Sequence, residues 1–444
     1  MIGFETIGNA TITVFDEKPV LVTDPWIRGN PYFGSWAHKY QIPANQLENI
    51  KNAKYVWVSH GHPDHIDPDS LDIFKDKTFL IASHYGDRIY NDLRKNYKVI
   101  KLKNNNWFEL SKNVRVKTFA DWNQDSCILI EINKDQIILN LNDGQALGWS
   151  TTIKNIIKNY KHRFLLALVS WGDADMINFY NNNHFIQPHA ALQKPCGETY
   201  SYLMKKWGCN YAIPFSSMHK YVREDSIKMN KFITPLDRHY DKFNSKIGEL
   251  LPAFIIWDSN KKNFIKIMPP ENTQRPVSEN IYNDLWSDDL TKEDKLIIKN
   301  YFNSFDHLKK KFGFLSFNIG KSELNLKLSK KKEGIIFKSP RNSFIYALNN
   351  DIFDDLLIAN FMKVELVGVK SLYPDFTPFV TKYGDNGGAK SEAELKKYFD
   401  FYKMNSLDYW KDLLALKTED KIRSTLDEFK TAYYLARKIR RFFA

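Results

Sequence analysis

One short window constrains this chain more than any other part of it. In Ser59-His60-Gly61-His62-Pro63-Asp64-His65, three of the eleven histidines crowd together with an aspartate directly after the apolar run 55–59. Imidazole and carboxylate groups are the usual ligands of zinc, iron and manganese. A loop leaving the C-terminal end of a buried strand can turn alternate side chains inward without exposing its backbone. The His-x-His-x-Asp-His spacing then offers two ligand pairs, His60 with His62 and Asp64 with His65, suited to two metal ions a few ångström apart. The fold must therefore end a buried strand at a polar, partly enclosed edge.

The flanking pattern fits that demand. Residues 11–15 alternate apolar and polar, and 20–23 follow as the return arm of a hairpin ending at Asp24-Pro25. Residues 79–83 read as another buried strand, and 165–170 as a fully apolar one. Segments 127–132 and 136–141 flank Asn133-Lys134-Asp135 and predict a second hairpin. Helical periodicity is clearest over 152–160 and 199–207. Strands interleaved with helices predict a layered α/β domain.

At 444 residues the chain has room for two or three domains. A Pro-rich break at Met268-Pro269-Pro270, with Pro276 after it, puts a boundary near 270. This divides the chain into a catalytic domain, 1–270, and a C-terminal α+β domain, 271–444, ending in helices. In the latter, 290–312 predicts helix, 334–337 and 344–347 predict strands, and 391–444 is helical. Lys330-Lys331-Lys332 reads as a solvated turn.

With 64 Lys and Arg against 52 Asp and Glu, the formal charge of +12 suits a small anionic ligand. It is spread along the chain rather than gathered in a stripe, so nucleic acid is not expected. Cys127, Cys196 and Cys209 are odd in number and lack Cys-x-x-Cys spacing, which points to a reducing compartment and excludes a disulfide framework. The N-terminal residues lack the pattern of a secretory signal, and no stretch of about 18 uninterrupted apolar residues occurs, so a cytoplasmic protein without a membrane span is expected.

The histidine motif resembles the hallmark of the metallo-β-lactamase-fold superfamily. That resemblance implies an αββα sandwich with a dinuclear metal centre at one edge of its sheets. It further implies that Asp143, after the run 137–142, bridges the metals, and that His219, after 213–218, serves the second one. Asp64 and Asp143 become the candidate catalytic carboxylates. The superfamily normally supplies a third histidine to the first metal, just before a strand. Here the segment 119–126 contains none; Asp121 occupies the expected spacing and Asp125 is the fallback, unless the place is vacant or His84 reaches in. A carboxylate there shifts preference toward iron, with zinc and manganese as alternatives.

A narrower likeness exists to the CMP-N-acetylneuraminate hydroxylases. It is carried by Asp24-Pro25-Trp26 with Arg28-Gly29, by the hairpin from Gln124 to Asp143, and by Phe353-Asp354-Asp355-Leu356-Leu357-Ile358. That family also carries a Rieske iron–sulfur domain, for which the cysteines here offer no Cys–His set. The dinuclear-iron β-hydroxylases of this fold also use a carboxylate at the position of Asp121. These likenesses imply a dinuclear non-haem iron oxygenase acting on an anionic, nucleotide- or carrier-linked substrate with an external electron donor. The alternative is a hydrolase of a phosphoester, amide or lactone that uses a metal-activated water.

Lys220 and Arg223 directly follow His219 and are the candidate substrate-binding cations. The glycine-rich segment 382–390 reads as a turn into the next helix, and the basic segment 429–443 as a docked terminal helix. Asp173 and Asp175 are left without a role.

Overall fold

The computed structural model describes residues 1–170, 178–216, 218–381 and 386–426. The predicted hairpins and apolar runs become two sheets. The first holds eight strands in the order Asn263–Lys266, Ile255–Asp258, Ile2–Ile7, Thr11–Asp16, Lys18–Thr23, Tyr55–Val58, Thr78–Ala82 and Lys98–Leu102. The second holds seven: Glu249–Leu250, Tyr211–Pro214, His162–Ala167, Gln136–Asn142, Ser126–Ile132, Val114–Ala120 and Phe108–Glu109. The hairpin 126–142 pairs as expected, and Asn133 and Lys134 in its turn both adopt left-handed φ. The strand Ile2–Ile7 was not expected from local pattern. It pairs with Ile255–Asp258, and Gly3 lies so close to the Trp257 carbonyl that a Cβ would collide with it.

Alternation along each strand sends one set of side chains between the sheets. Phe4, Ile12, Leu21, Trp57 and Leu80 from the first meet Val116, Ile130, Ile138, Phe164 and Ile213 from the second. The outer faces bury helices. Ile50 and Leu93 cover the first sheet; Ile153, Ile157, Tyr200, Met204 and Trp207 cover the second. This is the αββα sandwich that the resemblance implies.

A third sheet of six strands runs His184–Phe185, Phe179–Asn181, Lys363–Val367, Gly334–Lys338, Phe314–Ile319 and Ser322–Lys327. Helices Lys292–Asn303, Asp306–Lys311, Arg341–Asn350 and Phe353–Ile358 accompany it, around a core that includes Phe302, Phe317, Phe337, Phe344, Phe353 and Phe376. The predicted strand 344–347 is helical instead. Its buried residues Phe344, Ala347 and Leu348 recur three and four apart, and Pro340 stands at the helix entrance. Residues 179–185 join this sheet from within the first half of the chain.

The predicted C-terminal helicity appears as Glu392–Asn405 and Tyr409–Leu426. Tyr398, Tyr402 and Tyr409 pack against Trp122 beside the loop 121–125. Asp412 accepts hydrogen bonds from the Gly148 and Ser150 amides (2.8 and 3.2 Å), and Asp408 from the Thr152 amide (2.8 Å). These carboxylates supply the cap that helix Ser150–Ile157 lacks locally. Asp173, Asp175, residues 382–385 and the segment 429–443 lie outside the described residues. No described helix is long and apolar enough to cross a membrane.

Candidate metal centre

Strand direction brings the site together. Lys18–Thr23, Tyr55–Val58 and Thr78–Ala82 run parallel, so Asp24, the histidine loop and His84 all emerge at one edge. In the facing sheet, Gln136–Asn142, His162–Ala167 and Tyr211–Pro214 also run parallel, delivering Asp143 and the approach to His219. Val114–Ala120 ends at the same edge, because two antiparallel pairings separate it from Gln136–Asn142. The Ser126 hydroxyl donates to the Ser59 carbonyl at 2.5 Å and ties the two sheets at this point.

His60 turns Nδ1 toward the Ser59 hydroxyl (2.9 Å) and Nε2 toward His62 Nδ1 (2.8 Å), with the two rings nearly perpendicular. His65 Nε2 lies 3.2 Å from Asp64 Oδ2 and 3.5 Å from Asp143 Oδ2. Ligand atoms of His60, His65 and Asp143 all fall within 4.8 Å of one another. Asp64 accepts from the Asn9 amide (2.9 Å) and the Tyr32 hydroxyl, and Asp143 accepts from the Ser216 hydroxyl (2.6 Å). On the far side of His65, Nδ1 faces Asp24 at 3.6 Å; Asp24 is fully buried and held by the Ser59 amide (2.8 Å), the Ser59 hydroxyl and Asn142. His219 begins a short strand paired with Trp36–His38, and its ring stacks face to face on Trp36 at 3.5 Å.

The electrostatics divide the histidines. Against the pull of burial, Asp354 raises His62 to about 9, and Asp64 and Asp143 hold His65 well above the usual imidazole range, so both carry a proton that a metal must displace. Burial, then the charges of His65 and His62, hold His60 well below the usual imidazole range, and burial pushes His219 down to about 3. Both rings are therefore neutral, the form that coordinates metal. Burial alone would raise Asp64, yet His65 beside it keeps the carboxylate ionised. His65 Nε2 is buried without a hydrogen-bond partner, although two carboxylates lie close to it. An orphaned ring nitrogen among carboxylates is a donor set that fits a metal ion.

The other expected residues lie differently. Asp121 accepts from the backbone amides of Asn123 (2.9 Å) and Leu147 (3.4 Å). Asp125 lies on the Nδ1 side of His60, at 3.7 Å, and burial and the charges of Asp121 and Asp143 push its carboxyl well up. His84 is buried, with Nδ1 on the Tyr402 hydroxyl (3.1 Å).

Lys220 and Arg223 do not face the centre as substrate-binding cations. The Lys220 ammonium donates to the carbonyls of Asn272 (2.6 Å) and Gln274 (3.0 Å). Arg223 is wholly buried between Asp225 (3.0 Å) and Asp284 (2.8 Å), its guanidinium 3.8 Å from the centre of the Phe361 ring. A buried cation must be paired; Asp225 pairs it from two residues along the same loop, and Asp284 from the chain leading into the third sheet.

Sequence reasoning gave no role to Asn9, Tyr32, Ser59, Asn142 or Ser216, which hold the ligands. It also gave none to Asp354 and Asp355. Two adjacent acids inside the apolar run 352–362 were the available signal, since a helix otherwise facing a core does not bury carboxylates without cause.

No protein-family model matches the chain. Over 147 residues it is 27% identical to the cytidine monophosphate-N-acetylneuraminic acid hydroxylase of Asterias rubens, covering 31% of this chain and 20% of that protein. The chain thus spans about a fifth of that relative's length in the matched region. Among solved structures it is similar to the metallo-beta-lactamase fold protein YhfI from Bacillus subtilis (12% identity, 55% of this chain and 88% of that one, TM-score 0.31). A mutant of the CmlA beta-hydroxylase is also similar (11% identity, 56% of this chain and 52% of that one, TM-score 0.34).

Proposed function

We propose that this chain is a metal-dependent enzyme with two metal ions at the shared edge of its sheets, and that it activates oxygen on a small anionic substrate. The observation that carries the metal reading is the convergence of His60, His65 and Asp143 within 4.8 Å, beside the contact between His60 and His62. In this reading His60 and His62 hold one ion, completed by Asp121 or Asp125, and Asp64, His65 and His219 hold the other, with Asp143 between them. The abundance of carboxylate favours iron, with zinc and manganese as alternatives.

Bound iron would supply a redox centre able to react with dioxygen, and the chain's own residues do the rest. Ser59 and Asp24 orient His60 and His65, Asn9 and Tyr32 hold Asp64, and Ser216 holds Asp143. Buried Trp26 and Trp36 limit water on the His219 side. With Lys220 and Arg223 committed elsewhere, the anionic substrate rests on the charge of +12. We place the metal ligands in 1–270 and assign 271–444 to completing the site, in a protein of the cytoplasm with an external electron donor.

Local similarity to a hydroxylase supports oxygenation over hydrolysis. The test is metal analysis of protein made in iron-supplemented medium, followed by turnover assays. Bound iron, with substrate-dependent oxygen uptake only when a ferredoxin-type donor or dithionite is present, is the expected result. Turnover under strict anaerobiosis without reductant overturns it and establishes hydrolysis. His60→Ala and His62→Ala should lower metal content while the fold persists; full occupancy in both removes the ligand assignment.

A further inference from the structure

An imidazole has two nitrogens, and in His62 they face opposite ways. Nδ1 lies 2.8 Å from His60 Nε2, on the side of the metal-binding groups, whereas Nε2 lies 3.0 Å from Asp354 Oδ2. Asp354 is 292 residues away in sequence. It rides on helix Phe353–Ile358, whose Phe353, Leu356, Leu357 and Ile358 sit in the core beneath the third sheet. The Asp354 side chain is 2% exposed, and its neighbour Asp355 is also buried. The Oδ1 atoms of both have no hydrogen-bond partner, and ligand atoms of His62, Asp354 and Asp355 lie within 4.8 Å of one another.

Burying two carboxylates with unmatched oxygens is costly and is tolerated only where nearby positive charge compensates. A neutral imidazole that gives Nδ1 to a metal must carry its proton on Nε2, and that N–H needs an acceptor. Carboxylates are common acceptors behind metal-bound histidines; they fix the tautomer and ring orientation and raise ligand basicity.

We propose that Asp354 is the positioning residue for His62, so that the first metal site is completed from behind by the C-terminal part of the chain. This rests on the metal-centre reading above. His62 sits on a loop, and the short helix bearing Asp354 is locked into an aromatic core, so the helix-borne carboxylate orients the loop-borne ring. Asp355 lies alongside, with a carboxylate oxygen within 4.8 Å of the ligand atoms of His62 and Asp354.

The test uses the full chain loaded with Co(II), read by stoichiometry, chelator competition and the visible ligand-field spectrum, with the fold of each variant checked by circular dichroism. Asp354→Ala should weaken one of two Co(II) equivalents about 10- to 100-fold and change its spectrum. Asp354→Glu should restore part of both. In a His62→Ala background, Asp354→Ala should have no further effect on affinity, which a purely structural role would not produce. Asp354→Asn, nearly isosteric, covers the case in which the alanine variant fails to fold.

Folded Asp354→Ala and Asp354→Asn proteins that bind both equivalents within twofold of the wild type, with unchanged spectra, overturn the proposal. So does a third bound equivalent lost in these variants, which would make the acidic pair a cation site of its own. A wild-type chain that binds no Co(II) overturns the metal-centre reading itself, and the proposal with it.

Discussion

Asp24→Ala is the perturbation that reaches furthest from a single atom group. Asp24 closes the strand Lys18–Thr23 with a left-handed φ of 43°, a conformation aspartate tolerates better than most residues. Its carboxylate joins both sheets: it accepts from the Ser59 amide and hydroxyl on one side and from Asn142 on the other, and faces His65 Nδ1. Alanine leaves the buried Ser59 amide without its acceptor, whereas the Asn142 side-chain amide loses one acceptor and keeps the Ser59 hydroxyl at 3.1 Å. The unmatched Ser59 amide costs about 1–3 kcal/mol, and the lost bonds from the Ser59 hydroxyl and Asn142 add about 0.5–1.5 kcal/mol each, so the loss should be about 2–6 kcal/mol in total. Loss of the group behind His65 should also weaken metal binding about 10- to 100-fold, which is about 1.4–2.8 kcal/mol. Urea denaturation of the metal-free protein reads the first quantity, and chelator competition reads the second. Asp24→Asn keeps one acceptor oxygen and should lose less stability while still weakening metal. If Asp24→Ala unfolds within about 0.5 kcal/mol of the wild type and binds metal equally well, this carboxylate is not what holds the edge.

Three further outcomes are expected. Asp412→Ala should cost about 1–2 kcal/mol by uncapping helix Ser150–Ile157, with hydrogen exchange rising first in that helix; unchanged exchange there would refute the capping role. Burial raises Glu5 from 4.5 to about 7, so the unfolded chain ionises first and stability should fall as pH rises through that window. The fall should be on the order of 2–3 kcal/mol and should vanish in Glu5→Gln, as urea midpoints between these pH values would show. Arg223→Met should destabilise by about 3–5 kcal/mol by stranding Asp225 and Asp284, while Co(II) affinity stays unchanged; a selective loss of substrate affinity without loss of stability would return Arg223 to the binding site.

The sequence alone determined the strand before the histidine loop, the 126–142 hairpin and the layered α/β class, because these depend on local periodicity and turn chemistry. It also singled out His60, His62, Asp64 and His65, since their spacing is local. Tertiary structure decided what stands behind those groups. Asp24, Asn142 and Ser216 reach the centre only because parallel strands in two sheets end at the same edge. Asp354 reaches His62 across 292 residues, and Asp412 caps a helix 262 residues earlier. Arg223 shows the reverse case. Its place four residues after His219 suggested a substrate contact, but the short strand ends at Tyr221 and the Arg223 side chain is wholly buried, where acids had to pair it. Helix 341–350 likewise followed its buried three-to-four spacing and the proline before it, against the β-preference of its aromatic residues. Proximity in sequence fixes which groups can share a loop; direction and burial, settled only when the layers close, fix what each group faces.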